Sequence, residues 1–273
     1  MSLAALTVHH GNSDLTERLI ESLSQCSIVH SIVVVLHDSY FPPKKENVQY
    51  LEVENRGYAA GLNRAVEHVL AEGEPQLLLA LNPDVRVDAA GIEHLYAEHV
   101  AAGADCTFPV LREKDQLVYG YRFSRWGALQ SVQSPEWYSG ACFLFSLDAW
   151  KKAGGFEESY FHYFEDRDFC LKLRKAGLKL HQAEVIMDHQ GKSGIDYPAS
   201  ELPKFAVRNH LVALEKSELL GPVSFLNVVA RHFAYLFRWK KGWRGIPQWL
   251  RGIEEFLHHR VTESTEPKKK PTG

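Results

Sequence analysis

Apolar and polar positions come in alternating blocks along the first hundred residues. Leu3–His9 is a short apolar run, and residues 15–23 repeat apolar side chains at Leu15, Leu19, Ile20 and Leu23, a helical stripe behind a Ser13 or Asp14 cap. Residues 31–36 carry the run Ile-Val-Val-Val and read as a strand buried on both faces, with another short strand over 48–53. Helical spacing returns over 58–70 through Leu62, Val66, Val69 and Leu70, and Gly73 follows as a stop signal. Leu77–Leu81 reads as a buried strand and 89–100 as a helix. This order predicts an α/β layered sheet whose ligand-binding loops sit at the carboxyl ends of its strands.

Beyond residue 104 the pattern loosens. Short strands are expected over 105–110, 117–121 and 141–147, a turn at Gly154-Gly155, a helix over 164–176 and a strand over 178–187. A helix over 200–220 precedes two aromatic and basic helices over 222–237 and 243–259. The expected division is an α/β domain over 1–215, a helical extension over 216–262 and a disordered tail over 263–273 holding Lys268, Lys269 and Lys270. No internal repeat is visible.

Composition narrows the classes. With 45% hydrophobic and 24% charged residues the chain is globular, and a formal net charge of −3 leaves no whole-protein basic field for nucleic acid. Cys26, Cys106, Cys142 and Cys170 are widely spaced with no CxxC pair, which argues against a disulfide scaffold or a zinc knot and for core thiols in a reducing cytosol. Residues 1–8 lack the basic start and long apolar run of a secretory leader. The best candidate membrane segment, 223–237, is interrupted by Asn227, Arg231 and His232.

Two segments concentrate candidate chemistry. The buried strand at 77–81 ends in Asn82-Pro83-Asp84, where Pro83 stops the ladder and Asp84 falls at the ligand-bearing end of the sheet. A carboxylate there suits a divalent cation that also takes diphosphate oxygens; the alternative is a turn capping the next helix. Later, Glu165, Asp166 and Asp168 open a helix behind the aromatic residues Tyr160, Phe161, Tyr163 and Phe164. Acidic residues favour a helix N-terminus on dipole grounds alone, but aromatic walls also raise a carboxylate's pKa toward that of a general base. Asp168 reads as the capping or salt-bridging member.

Weaker signals lie at other strand ends. Asn55-Arg56-Gly57-Tyr58 joins a strand to a helix with Asn63 two turns on; Gly57 permits a tight turn, and Asn55 and Asn63 offer amides to a nucleotide. His37-Asp38-Ser39 and His9-His10-Gly11-Asn12 close the first two strands, and the adjacent histidines point to opposite faces, which disfavours chelation by both. His189, in Asp188-His189-Gln190-Gly191-Lys192-Ser193, offers an imidazole after a strand.

Taken in order, Asn55-x-Gly57 with Asn63, Leu81-Asn82-Pro83-Asp84, Ser139-Gly140-Ala141, Gly154-Gly155-Phe156-Glu157-Glu158, Tyr163-x-Glu165-Asp166-x-Asp168, Lys175-x-Gly177, and His189 with Ser193 resemble the family 2 inverting glycosyltransferases of GT-A fold, in their rhamnosyltransferase-like branch. The likeness runs from about residue 3 to 210. It implies a mixed Rossmann-like sheet with helices on both faces, a nucleoside-diphosphate sugar donor (dTDP-rhamnose or a UDP-sugar) and a cell-surface glycan or lipid-linked acceptor. By the same resemblance Asp166 is the catalytic base with Glu165 as runner-up, and Asp84 and His189 hold Mg²⁺ or Mn²⁺ against the diphosphate. Asn12, Asp38, Asn55, Gly57, Asn63 and Asn82 are the implied nucleotide contacts, and Trp137 and Tyr138 the implied acceptor or sugar stacking residues. The sequence departs from the family pattern in His9-His10-Gly11, in His37-Asp38-Ser39 and in the single carboxylate of Asn82-Pro83-Asp84.

The last helices lie outside the strong match. Their interleaved basic and aromatic residues suit a membrane surface, or else packing on the domain or across a homodimer. Two rival functions follow from the same layered sheet: a sugar-nucleotide pyrophosphorylase, which would need a basic Gly-rich loop where residues 9–14 carry no lysine or arginine, and a catalytically degenerate nucleotide- or partner-binding domain.

Overall fold

The computed structural model describes residues 3–38, 45–73, 77–191, 199–238 and 240–265. Ser39, Lys192, Ser193, Trp239 and the lysines of the expected tail lie outside the described residues. The described residues fall into two compact units, within Met1–Arg122, Gln130–Phe161 and Glu165–Ile195 for the first, and within Phe123–Leu129, His162–Phe164 and Asp196–Gly273 for the second.

The first unit is built on a sheet of nine strands among the described residues. β1 (Leu3–His9), β2 (Val29–Leu36), β3 (Val48–Glu52) and β4 (Leu77–Leu81) are parallel and lie in the order β3-β2-β1-β4. β1 and β4 are buried at every position, as continuous apolar runs covered on both faces must be. Leu3 and Ala5 of β1 share an apolar cluster with Leu19, Ile20 and Leu23 of α1 (Ser13–Ser24) and with Ile92 and Leu95 of α3 (Ala89–Ala102). Val8, of opposite alternation, packs against Gly61 of α2 (Tyr58–Glu72), so helices cover both faces.

The second half of the sheet is mixed. β10 (Cys142–Ser146) runs antiparallel between β4 and β6 (Cys106–Glu113), and β11 (Leu180–His189) runs parallel to β6. The two-residue β5 (Val85–Arg86) pairs antiparallel with the end of β11, and β7 (Gln116–Val118) with the end of β6. These short edge strands are not visible in the apolar pattern, which instead spread one strand over 117–121. The sequence likewise extends β10 to residue 147, whereas Ser146 ends the strand and caps α4 (Leu147–Ala153) by accepting from Ala149 N. The cap of α1 is Asn12, accepting from Asp14 N, and neither Ser13 nor Asp14. α5 (Glu165–Lys175) begins one residue later than its spacing suggests, because Phe161, Tyr163 and Phe164 all have positive φ (59°, 70° and 71°). Three non-glycine residues in that region cost on the order of 1–3 kcal/mol each.

The second unit packs α6 (Leu202–Lys216), α7 (Pro222–Leu236) and α8 (Ile246–Thr265) around Val207, Leu211, Leu214, Val228 and Phe256. Asn209 on α6 donates through Nδ2 to the carbonyls of His162 (2.7 Å) and Tyr163 (3.3 Å), which secures the strained segment before α5. His210 is stacked on Phe123 and bridges Gly127 O (2.8 Å) and His232 Nε2 (3.1 Å).

Candidate active site

Asp84 follows β4 by three residues and is buried. Pairing of β5 with β11 sets His189 opposite Val85, and the neighbouring backbones are tied by Gln190 N donating to Asp84 O (3.0 Å). The side chains meet as a result: His189 Nε2 is 3.4 Å from Asp84 Oδ1, and His189 Nδ1 is 2.9 Å from Glu113 Oε1. Burial disfavours the imidazolium, but the hydrogen bonds and charges of Asp84 and Glu113 outweigh it and raise the His189 pKa to about 9. Glu113 was not legible in the sequence as a site residue. It arrives there because β6 pairs with β11 in a register that sets Glu113 beside His189.

These residues fit a divalent cation in one respect. Glu113 fixes the imidazole by Nδ1 and leaves Nε2 directed at Asp84, the carboxylate–histidine arrangement that orients a metal ligand. Among the described residues no group of three His, Cys, Asp or Glu side chains that could hold a metal comes together. The protein would therefore supply one carboxylate and one imidazole and leave the other positions to substrate oxygens and water.

The second acidic group lies at the start of α5. Asp166 Oδ2 accepts from Gly140 N (3.0 Å) and Oδ1 from Arg167 N (2.7 Å), so its carboxylate is held on both oxygens. Burial raises its pKa above the usual aspartate value, against the opposing pull of those N–H groups. Glu165 is 8% exposed, and its Oε2 has no hydrogen-bond partner among the described residues. Burial, and then the charge of Asp166, push the Glu165 carboxyl up. Asp168 pairs with Lys172 at 3.0 Å, the salt-bridging role expected of it.

A glutamate with a raised pKa binds its proton more tightly folded than unfolded, so folding loses stability as pH rises through the window above the ordinary glutamate value. Glu165→Gln is expected to leave stability unchanged at acid pH. At neutral pH it should raise Tm, on the order of 2–4 °C for each kcal/mol relieved. Thermal unfolding of both proteins across pH checks this, and a Gln variant less stable at neutral pH contradicts it.

The dipeptide Gly140-Ala141 runs between Asp166 and Asn82, two residues before Asp84. Ala141 O accepts from Asn82 N (2.8 Å), Gly140 N donates to Asp166, and the Tyr58 hydroxyl donates to Gly140 O (3.5 Å). The Tyr58 phenol is pushed up by burial and then by surrounding groups that include Glu165, Asp84 and Asp166, which sets it among the acidic side chains. Tyr58 was legible only as a helix start. A Cβ on Gly140 would lie 2.8 Å from Asp166 Cβ, closer than such atoms approach. Gly140→Ala is therefore expected to displace Asp166 and lower turnover on the order of 10²-fold, with nucleotide affinity intact. Steady-state kinetics beside a binding titration separate the two effects.

The remaining expected site residues are committed to varying degrees. Asp38 Oδ2 accepts from Gly11 N (2.8 Å) and Oδ1 faces His9 Nε2 (3.2 Å), tying together the ends of β1 and β2. Asn12 is exposed at its helix cap, and Asn55 Oδ1 accepts from Gly57 N (3.1 Å) in the turn before α2. At Gly57 (φ 100°) a Cβ would collide with the Phe161 carbonyl, so the close approach read as one to a ligand is made by the protein's own backbone. Asn63 donates twice through Nδ2, to Phe156 O (3.0 Å) and Glu158 Oε1 (2.9 Å), and accepts from Phe156 N and Trp150 Nε1. Both its amide hydrogens are engaged, and it holds the Gly155-Phe156 turn to α2. Asn82 Oδ1 is buried with no partner among the described residues.

Trp137 is 2% exposed, with the Arg167 guanidinium 5.4 Å from its ring centroid. It offers no open face to a sugar, a correction to its expected stacking role: apolar burial claimed the ring. Tyr138 is half-buried and stacks on Phe108 at 4.5 Å, so one of its faces is covered.

Comparison with known proteins gives the site its context. No family model matches the chain. The N-acetylglucosaminyl-diphospho-decaprenol L-rhamnosyltransferase of Mycobacterium tuberculosis is 28% identical over 253 residues, covering 77% of this chain and 74% of that protein. The low-salt glycan biosynthesis hexosyltransferase Agl10 of Haloferax volcanii is 24% identical over 156 residues, 52% of this chain; the match spans about half (51%) of that relative. Among solved structures, GalNAc-T7 with UDP, GalNAc and Mn²⁺ superposes with a TM-score of 0.60 at 14% identity, over 80% of this chain and 49% of that one. The mannosyltransferase PcManGT of Pyrobaculum calidifontis, in complex with GDP-Man and Mn²⁺, superposes with a TM-score of 0.56 at 13% identity, over 98% of this chain and 81% of that one.

The chain has the GT-A glycosyltransferase fold. Beside that GT-A sheet, Asp84 follows the parallel strand β4, Asp166 lies in the first turn of α5 between β10 and β11 in the chain, and Gly140-Ala141 leads into the antiparallel β10.

Proposed function

We propose that this GT-A chain is an inverting glycosyltransferase that moves a sugar from a nucleoside-diphosphate donor to a glycan or lipid-linked acceptor. The observation that carries the reading is that Gly140-Ala141 bonds at one end to Asp166 and at the other to Asn82, two residues before Asp84, which brings an oriented, raised-pKa carboxylate and the strand end that carries the Asp84–His189 pair to one stretch of backbone. Inversion needs an acceptor oxygen to attack the anomeric carbon in line as the nucleoside diphosphate departs. Asp166 takes the acceptor hydroxyl's proton; its two backbone N–H bonds fix the direction in which the carboxylate faces. Glu165, buried beside it, keeps water away from one side and holds a proton to higher pH. The side-chain Oδ1 of Asn82, buried with no partner among the described residues, is the acceptor this site offers to the donor sugar nucleotide.

Asp84 and His189 would hold Mn²⁺ or Mg²⁺, and the imidazole in that pair favours Mn²⁺. When bound, such an ion supplies positive charge to the departing diphosphate. A pyrophosphorylase is disfavoured, because the loop after β1 has no cation to hold a triphosphate and the named relatives transfer sugars. The test is turnover of a panel of nucleoside-diphosphate sugars with a lipid-linked glycan acceptor and Mn²⁺. Release of nucleoside diphosphate with an equal amount of glycosylated product supports the proposal. Release of neither from any donor, or synthesis of the donor from sugar phosphate and nucleoside triphosphate, overturns it.

A further inference from the structure

The second unit carries a charge pattern that the rest of the chain lacks. Between Pro222 and Ile253 there are six lysines and arginines and no aspartate or glutamate, in a protein whose net charge is −3. The five of these cations from Arg231 to Arg244 cluster at the end of α7 and in the short 3₁₀ turn Gly242–Gly245, and Arg251 lies in the second turn of α8. All six are exposed.

Large apolar side chains are exposed among them: Phe237 at 57%, Trp243 at 63% and Leu250 at 54%. Gly242 lies against the Leu236 carbonyl, in a space that a Cβ would fill, which brings the 3₁₀ turn that carries Trp243 up to the end of α7. Phe233 joins this tip to α8, with its ring centroid 5.2 Å from Phe237 and 5.1 Å from Trp249. No described helix is long and apolar enough to cross a membrane.

Exposed aromatic and aliphatic side chains interleaved with cations match the headgroup region of an anionic bilayer, where rings enter the interface and cations meet lipid phosphates. A second copy of this chain is a poor occupant, because a two-fold interface would set the same six cations against themselves. We propose that this tip, the described residues 233–238 and 240–251, docks the protein on the surface of an anionic membrane, with Phe237, Trp243 and Leu250 entering the interface. The proposal stands on the surface alone and does not depend on the catalytic reading.

The test is flotation of the full chain with phosphatidylcholine vesicles, with and without about one third phosphatidylglycerol, at low and high salt. Binding is expected only to the anionic vesicles and should weaken with salt. The triple variant Lys240→Glu, Lys241→Glu, Arg244→Glu should bind on the order of a hundredfold more weakly. The double variant Phe237→Ser, Trp243→Ser should also lose binding while keeping the parent's melting temperature, since both rings are exposed in the free protein. Failure of the parent to float with anionic vesicles overturns the proposal. So does undiminished flotation of both variants, or a concentration-dependent dimer that the same substitutions abolish while vesicle binding stays.

Discussion

Asp166→Asn is expected to lower sugar transfer by about 10²–10⁴-fold, the usual contribution of a general base, while nucleoside-diphosphate affinity stays within a few-fold of the parent. An asparagine carbonyl oxygen can keep the bond from Gly140 N, although its amide nitrogen cannot replace the oxygen that accepts from Arg167 N. What is lost is the capacity to accept a proton. Because burial holds the Asp166 and Glu165 carboxyls above the usual carboxylate range, the parent's activity should fall on acidification at a higher pH than an exposed carboxylate would give. Transfer at the parent's rate in Asp166→Asn would remove Asp166 as base. Loss of activity in Glu165→Gln with retention in Asp166→Asn would transfer the role to Glu165.

Asp84→Ala should remove the dependence of nucleotide affinity on Mn²⁺. Replacing a group that only supports a metal ligand costs about 10–100-fold in metal affinity, so loss of the carboxylate itself should cost at least that. The variant retains His189 and its Glu113 partner, so the imidazole stays oriented. Nucleotide affinity without metal should change little, which distinguishes loss of a cation site from general damage to the fold. Manganese-linked binding equal to the parent's would defeat the assignment.

The elements that position the site were legible because their signals are local. The run Leu77–Leu81 ending at Asn82-Pro83, and the helical stripe after Tyr58, each carry period and punctuation within a dozen residues. The acidic triplet on α5 was visible for the same reason. Glu113 and the inward role of Tyr58 were not, since both depend on which distant strand or loop lies alongside. Nothing near residue 113 reports that β6 pairs with β11, and nothing near Tyr58 reports Gly140. Trp137 shows the opposite error: an aromatic beside Ser139-Gly140 resembles a sugar platform, but a two-residue signal carries no burial, and the ring lies in the interior with Arg167. Asn63 was read as a nucleotide contact because a buried amide and a ligand-facing amide look alike in sequence.

The central claim is that Asp84 and His189 form the metal-linked end of a nucleoside-diphosphate site in a working transferase. Calorimetric titration of the whole protein with UDP, dTDP and GDP, each with and without Mn²⁺, tests it most directly. The account predicts that one of the three binds tightly, that Mn²⁺ strengthens that binding, and that the strengthening is absent in Asp84→Ala. Binding of none of them, or tight binding indifferent to both Mn²⁺ and Asp84, would contradict it.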